Sequence, residues 1–165
     1  MTKTAISARW LSRSEIEVLM TMLMGEFHCE ADDDGRLALP ASFSAELADG
    51  ATVTRGIERC LLVYPADEWE KLSRELRERL PFTNQAARAF GRFLFSAAAS
   101  CDPGEEGRVR LPRQLLQYAG IEGAAIVIGL LTHLEIWEPE HWDRAKSALV
   151  EEGPALADQL QELGI

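Results

Sequence analysis

The feature that most constrains this chain is an internal repeat. Gly35-Arg36-Leu37-Ala38-Leu39-Pro40 returns as Gly107-Arg108-Val109-Arg110-Leu111-Pro112, 72 positions later. Cys29 and Cys101 keep that offset, as do the acidic pairs Asp33-Asp34 and Glu105-Glu106. Tyr64 and Trp69 come back as Trp137 and Trp142 at an offset of 73, so one residue has been inserted on the way. An offset held across a span of ~45 residues marks a duplicated structural unit. Two copies are too few for a solenoid, which needs about three. They predict a pseudo-symmetric pair of half-domains.

Each copy reads the same way locally. Phe27 to Ala31 has the composition of a short strand. The following Asp32-Asp33-Asp34-Gly35 is a turn, and Asp-Gly is a strong hairpin signal. From Arg36 the alternation turns Leu37 and Leu39 inward and Arg36 outward. Pro40 opens a helix carrying Phe43 and Leu47 on one face, and Gly50 closes it. Thr52–Arg55 and Cys60–Tyr64 are two more strands around a Gly56 turn. The second copy gives a strand over Arg108–Leu111, a helix over Pro112–Ala119 stopped by Gly120, and strands near Ala124–Ile128 and Leu134–Trp137. Between the copies, Ala66–Leu80 carries an apolar stripe of Trp69, Leu72, Leu76 and Leu80, and Pro81 stops it. A further helix is capped by Thr83 or Asn84 and turns Ala86, Phe90, Phe93 and Leu94 inward. A helix from about Pro139 carries Trp142, Ala145 and Leu149. The tail beyond Gly153-Pro154 reads as a separate helical run of Leu156, Leu160 and Leu163. The fold class expected is therefore α+β.

Composition narrows the function. Seventeen basic and twenty-seven acidic residues leave a net charge of −10, which taken alone counts against a nucleic-acid partner. The charge is uneven, however. Residues 1–23 sum to +1, 24–68 to −7, 69–100 to +3 and 101–165 to −7. An anion-binding surface must come from local arrangement. No apolar run approaches the ~20 residues of a membrane helix, and residues 1–20 hold no apolar core of secretory length. Three widely spaced cysteines (Cys29, Cys60, Cys101) suit reduced thiols in the cytoplasm. A chain of 165 residues can bury roughly 70% of its unfolded surface without staples.

Catalytic signals are missing. There is no nucleophile elbow, phosphate-binding loop or dinucleotide fingerprint. His28, His133 and His141 have no metal-ligand spacing among themselves or to the cysteines. His28 and Cys29 are neighbours on a strand, so they point to opposite faces. Asp32–Gly35 lacks the downstream glutamate of a calcium loop. The expectation is no enzyme, no cofactor, no metal and no small-molecule substrate. What remains is Asp32-x-x-Gly35-Arg36 with its echo Gly107-Arg108 and the nearby Arg110. A guanidinium beyond a hairpin turn matches guanine O6 and N7 in the major groove, which admits a two-stranded ribbon. Asp32 can hold turn amides or orient the guanidinium of Arg36.

These residues carry a resemblance. Gly25-Glu26-Phe27, Asp32 through Pro40, Thr54-Arg55-Gly56, Cys60 through Pro65 and Glu68-Trp69 resemble the MraZ family. So do Ala87-Arg88-Ala89-Phe90 through Phe95, Gly107-Arg108, Tyr118-Ala119-Gly120 and Glu135-Ile136-Trp137. The match runs in order from about Met24 to Trp142. It implies tandem AbrB/SpoVT-like swapped-hairpin β-barrel halves with peripheral helices, and a ring-shaped homo-oligomer. It also implies a nucleoid-associated repressor that binds short G-rich direct repeats of double-stranded DNA. Its target would be the promoter of the division and cell-wall gene cluster that includes its own gene. The family's DNA-facing Asp-x-x-x-Arg motif maps onto Asp32 and Arg36. In the second half the position four before Arg108 is Gly104, and Asp102 is displaced by two. Arg36 is therefore expected to read bases, and Arg108 with Arg110 to contact mainly the backbone.

The organisation expected is an N-terminal extension over 1–23, disordered or a misplaced start, then a first half over 24–80. A linking helix over 81–95, a second half over 96–150 and a C-terminal tail helix over 151–165 follow. An acidic ring should bind weakly per subunit and gain affinity from several subunits on several repeats. The alternative reading is an antitoxin-like or scaffold module that uses the same hairpin fold to bind protein, which an exposed apolar groove or a docking tail helix would support.

Overall fold

The computed structural model describes residues 12, 23–104 and 106–164. Within them the chain runs β1 (Leu23–Glu30), β2 (Arg36–Ala38), α1 (Ala41–Glu46), β3 (Ala51–Arg55), β4 (Leu61–Pro65), α2 (Ala66–Arg79) and α3 (Gln85–Phe95). The second half follows as β5 (Ala99–Ser100), β6 (Arg108–Arg110), α4 (Arg113–Ala119), β7 (Ala124–Leu131), β8 (Leu134–Trp137) and α5 (Pro139–Glu162). Six strands form one antiparallel sheet in the order β1-β7-β8-β4-β3-β5, and β2 with β6 forms a separate two-stranded ribbon.

That order is the same from either end once each strand is matched to its repeat. The counterparts are β1 and β5, β3 and β7, β4 and β8. The register agrees. Leu62 pairs with Glu135 where β4 meets β8, and Leu37 pairs with Val109 where β2 meets β6. Each of these pairs joins a residue to its own repeat equivalent, so one pseudo-two-fold axis passes through both. β1 of the first half adds to the hairpin β7–β8 of the second, and β5 of the second half adds to β3–β4 of the first. The halves are swapped-hairpin units, and the fold is α+β.

Residues on the inner faces of the sheet and ribbon fill one core. Leu37, Val53, Leu61, Val63, Val109, Val127, Leu134 and Ile136 have no exposed surface, and Phe43 and Leu47 close it from α1 and the turn beyond it. A second cluster joins Trp137, Ile126, Ile128 and Cys60 to Trp142 and Ala145 of α5.

Several local expectations change. The Asp32–Gly35 turn does not close a two-stranded hairpin between β1 and β2, because a single bridge, Ala31 to Leu37, joins them. β1 instead pairs over all eight residues with β7, a gain that three-residue β2 could not offer. β7 accordingly runs to Leu131, past the Ile128 expected. Asn84, not Thr83, caps α3, its side chain accepting from the Ala87 amide at 3.0 Å. The tail is not a separate helix: α5 runs unbroken through Gly153 and Pro154 to Glu162. Pro154 cannot donate to the carbonyl one turn back. That part of α5 is exposed, so water can satisfy the orphaned group. The extension over 1–23 lies outside the described residues except for Ser12 and Leu23. Leu23 opens β1 opposite Leu131 and is buried in the core, so it belongs to the sheet.

The stripes of α2 and α3 are only partly covered. Trp69, Leu72, Leu76 and Leu80 are half-buried, Ala86 is exposed, Phe90 and Phe93 are half-buried, and Leu94 alone of the expected set is fully buried. The apolar faces of these helices line an open groove of about 610 Å³.

Candidate nucleic-acid interface

The ribbon brings the sequence-predicted residues together across the two halves. In its antiparallel register Arg36 faces Arg110, Leu37 faces Val109 and Ala38 faces Arg108. Side chains alternate along a strand, so Leu37 and Val109 plug the core while Arg36, Arg108 and Arg110 share the exposed face. Like charges directly opposite on a ladder repel. The sequence places three guanidinium groups on this small surface of an otherwise acidic chain.

The turns that present them are built alike. Asp32 N donates to Arg36 O at 2.9 Å and Gly35 N to Asp32 O at 3.0 Å. In the second half Gly104 N donates to Arg108 O at 3.1 Å and Gly107 N to Gly104 O at 2.9 Å. Gly104 therefore closes its turn as Asp32 does. Only the side-chain bonds are missing. The carboxylate Oδ1 of Asp32 accepts from the amides of Asp34 and Arg36, at 3.0 and 2.9 Å. The Arg36 amide, together with that of Asp34 and the guanidinium groups of Arg36 and Arg108, holds the Asp32 carboxyl below the usual carboxylate range. Asp102 serves elsewhere: its Oδ1 accepts from Ala51 N at 2.8 Å and fixes the start of β3.

Of the two roles expected of Asp32, the turn amides are borne out, and the guanidinium its free oxygen faces is that of Arg108 rather than Arg36. Its Oδ2 lies 3.6 Å from the guanidinium of Arg108, across the ribbon, and Glu106 approaches the same group at 3.8 Å. The guanidinium that Asp32 faces is therefore that of the second half. A reading confined to one copy could not find this contact, because the two residues meet only through the β2–β6 pairing. Asp32 thus holds the Arg36 amide through Oδ1, as expected of the turn, and faces the Arg108 guanidinium through Oδ2.

The three cysteines and His133 are wholly or partly buried. Burial pushes the thiols of Cys60 and Cys101 up to about 12, and raises that of Cys29 as well. His133 stacks on Tyr64 with ring centroids 4.7 Å apart, and burial lowers its pKa. Among the described residues no group of three or more His, Cys, Asp or Glu could hold a metal ion. No helix among them is long and apolar enough to cross a membrane.

The family model described as "MraZ protein, putative antitoxin-like" matches residues 22–93 and again 94–159. The chain belongs to the MraZ family. Its relatives include a protein of Desulforamulus reducens named Transcriptional regulator MraZ, 42% identical over 142 residues, covering 86% of this chain and 99% of that one. One of Alkaliphilus metalliredigens with the same name is 40% identical over 144 residues, covering 87% and 100%. A third, from Thermomicrobium roseum and likewise so named, is 41% identical over 142 residues, covering 86% and 99%. The double match of the MraZ model follows the repeat that the pseudo-two-fold axis relates.

Sequence reasoning missed the groove between α2 and α3, whose rim carries Arg77, Arg88 and Arg92. The signal in the sequence was the +3 charge of residues 69–100; in the structure Phe82, at the groove's edge, is 90% exposed.

Proposed function

We propose that this chain is a transcriptional regulator that represses its own promoter, with the Arg36–Arg108–Arg110 face of the β2–β6 ribbon as its DNA-binding surface. One observation carries the reading: cross-half pairing gathers three exposed guanidinium groups onto one side of a two-stranded ribbon, an element of a size the major groove admits. Asp32, by holding Arg108 across the ribbon, reduces the freedom that guanidinium loses on docking. We assign base contact to Arg108 and phosphate contact to Arg36 and Arg110. The chain as a whole carries a net charge of −10, so a single ribbon binds weakly. Several subunits of a ring, engaging short G-rich direct repeats upstream of a division and cell-wall gene cluster, would supply the affinity. The relatives' name, Transcriptional regulator MraZ, supports regulation of transcription. Residues 24–80 and 96–150 act in this account as two half-domains that share one DNA-facing ribbon, in the cytoplasm and on the nucleoid.

The test is binding of the purified protein to labelled DNA from upstream of its own gene against a scrambled duplex of equal length, at fixed salt. Preference for the upstream DNA is expected, and equal binding to both overturns the reading. The second reading, a protein-binding module, is favoured by one observation, the open apolar groove between α2 and α3.

A further inference from the structure

Among the described residues, the second half of α5 is largely exposed. From Leu149 onward the helix presents Leu149, Leu156, Leu160 and Leu163 at spacings of seven, four and three, the seam of an amphipathic helix. Leu149, Leu160 and Leu163 are exposed, and so is Val150. Residues 147–165 include four acidic side chains (Glu151, Glu152, Asp158, Glu162) and no Lys or Arg. A free helical segment of about fifteen residues is marginal in water, and its stability comes from packing an apolar face.

The repeat shows what this segment replaces. Pro154 stands 73 residues after Pro81, the same offset that relates Trp142 to Trp69. In the first half the chain turns back after Pro81, and α3 joins α2 in a helical hairpin. In the second half α5 runs straight through the equivalent proline. The apolar segment that would fold back is carried away from its own subunit.

The groove between α2 and α3 is its complement. It is lined by Trp69, Leu76, Leu80 and Phe95, with Gly91 at a point where an added Cβ would meet nothing within 4 Å. The other cations of α2 are neutralised in place: Lys71 pairs with Asp67 and Glu68, Arg74 with Glu70, and Arg79 with Glu75. Arg77, Arg88 and Arg92 on the groove rim pair with no carboxylate among the described residues. Arg88 is held in place by donating to Phe82 O at 2.6 Å.

We propose that the C-terminal half of α5 from one copy of this chain docks in the α2–α3 groove of the next copy. Leu149, Leu156, Leu160 and Leu163 enter the groove, Glu152 flanks the leucine face at the rim, and the net negative charge of the segment complements Arg77, Arg88 and Arg92. Pairing of two α5 segments with each other is disfavoured, because both are acidic with no cation to offset the repulsion. The helix leaves beside β7 while the groove lies beside β3 and β4, so donor and acceptor surfaces occupy different flanks of one subunit. A contact of that kind is head-to-tail and closes into a ring when the rotation permits. This inference rests on the self-assembly named in the proposed function and gives it a surface.

The test uses full-length protein and mass photometry or light scattering at micromolar concentration. One variant, Leu156→Glu with Leu160→Glu, spoils the helix. The other, Gly91→Trp with Arg77→Glu, blocks the groove without removing a core contact. Each alone is expected to be monomeric with an unchanged circular dichroism spectrum. Mixed in equal amounts they are expected to form a one-to-one dimer and stop, since each retains one intact surface. If the wild type assembles and either variant keeps the wild-type size, the docking is overturned while self-assembly stands. A mixture that stays monomeric also overturns it, as does a mixture that regains the full assembly. A monomeric wild type overturns self-assembly itself, and the docking with it.

Discussion

Gly35→Ala tests the ribbon through a single methyl group. Gly35 sits at φ 78°, in the left-handed region, and an added Cβ would lie 2.7 Å from the carbonyl oxygen of Leu111. The opposing atom is backbone, so no side chain can swing away. The left-handed conformation costs an alanine about 1–2 kcal/mol. Relief of the clash must lengthen the adjacent Leu111 N to Gly35 O bond of 2.8 Å, a loss of about 1 kcal/mol. The sum, about 2–3 kcal/mol, lowers the melting temperature by roughly 4–12 °C for a chain of this size. Gly104→Ala is the internal control. Gly104 does not have positive φ, and its added Cβ comes no closer than 4.0 Å to the Arg108 carbonyl oxygen, so its melting temperature stays within about 2 °C of wild type. Thermal melts of the three proteins decide the matter. Because the clash pushes β2 and β6 apart, Gly35→Ala should also weaken DNA binding more than its stability loss explains, measured well below its melting temperature. A Gly35→Ala protein that melts with the wild type, or a Gly104→Ala protein that falls equally, would refute the close approach of the two half-motifs.

Two further predictions follow from the polar contacts. Asp32→Asn keeps an oxygen for the amides of Asp34 and Arg36 but removes the charge facing Arg108; scrambled DNA should bind more tightly and upstream DNA gain less, so that the ratio of the two affinities falls, as titrations of both duplexes would register. Burial lowers the His133 pKa, so the unfolded chain binds more protons than the folded one as pH falls through the ordinary imidazole value of ~6.5. That share of stability is present above this pH and is lost below it. His133→Phe, which can keep the stacking on Tyr64, should flatten the acid-side drop in melting temperature between pH ~7.5 and ~5.5, and an unchanged drop would assign it elsewhere.

The repeat made the half-domain organisation legible, because an offset near 72 survives in residues that hairpins and helix starts require. Strand and helix positions followed from alternation and from Pro40, Pro112 and Gly120. What periodicity could not carry was partnership. β1 and β2 flank a sequence with every mark of a hairpin turn, yet the longer ladder with β7 wins, and β2 finds its own repeat equivalent. The same non-local pairing hid the Asp32–Arg108 contact, although both residues were singled out individually. The run beyond Pro154 belongs to α5 because the proline's one missing hydrogen bond falls in an exposed stretch of helix. The α2–α3 groove escaped because an apolar stripe in sequence reads as core whether or not anything covers it.

One ribbon, built by both halves, is the DNA-binding surface we propose. The most direct measurement compares wild type with the combined Arg36→Ala, Arg108→Ala and Arg110→Ala variant on upstream and scrambled duplexes across a salt series. All three side chains are exposed, so the variant should keep the wild-type melting temperature and assembly size. It should lose the preference for upstream DNA. The slope of log affinity against log salt should become shallower by about 0.9 for each phosphate contact removed. A variant that folds, assembles and still binds its upstream DNA with wild-type affinity and slope would rule the ribbon out as the DNA-binding surface.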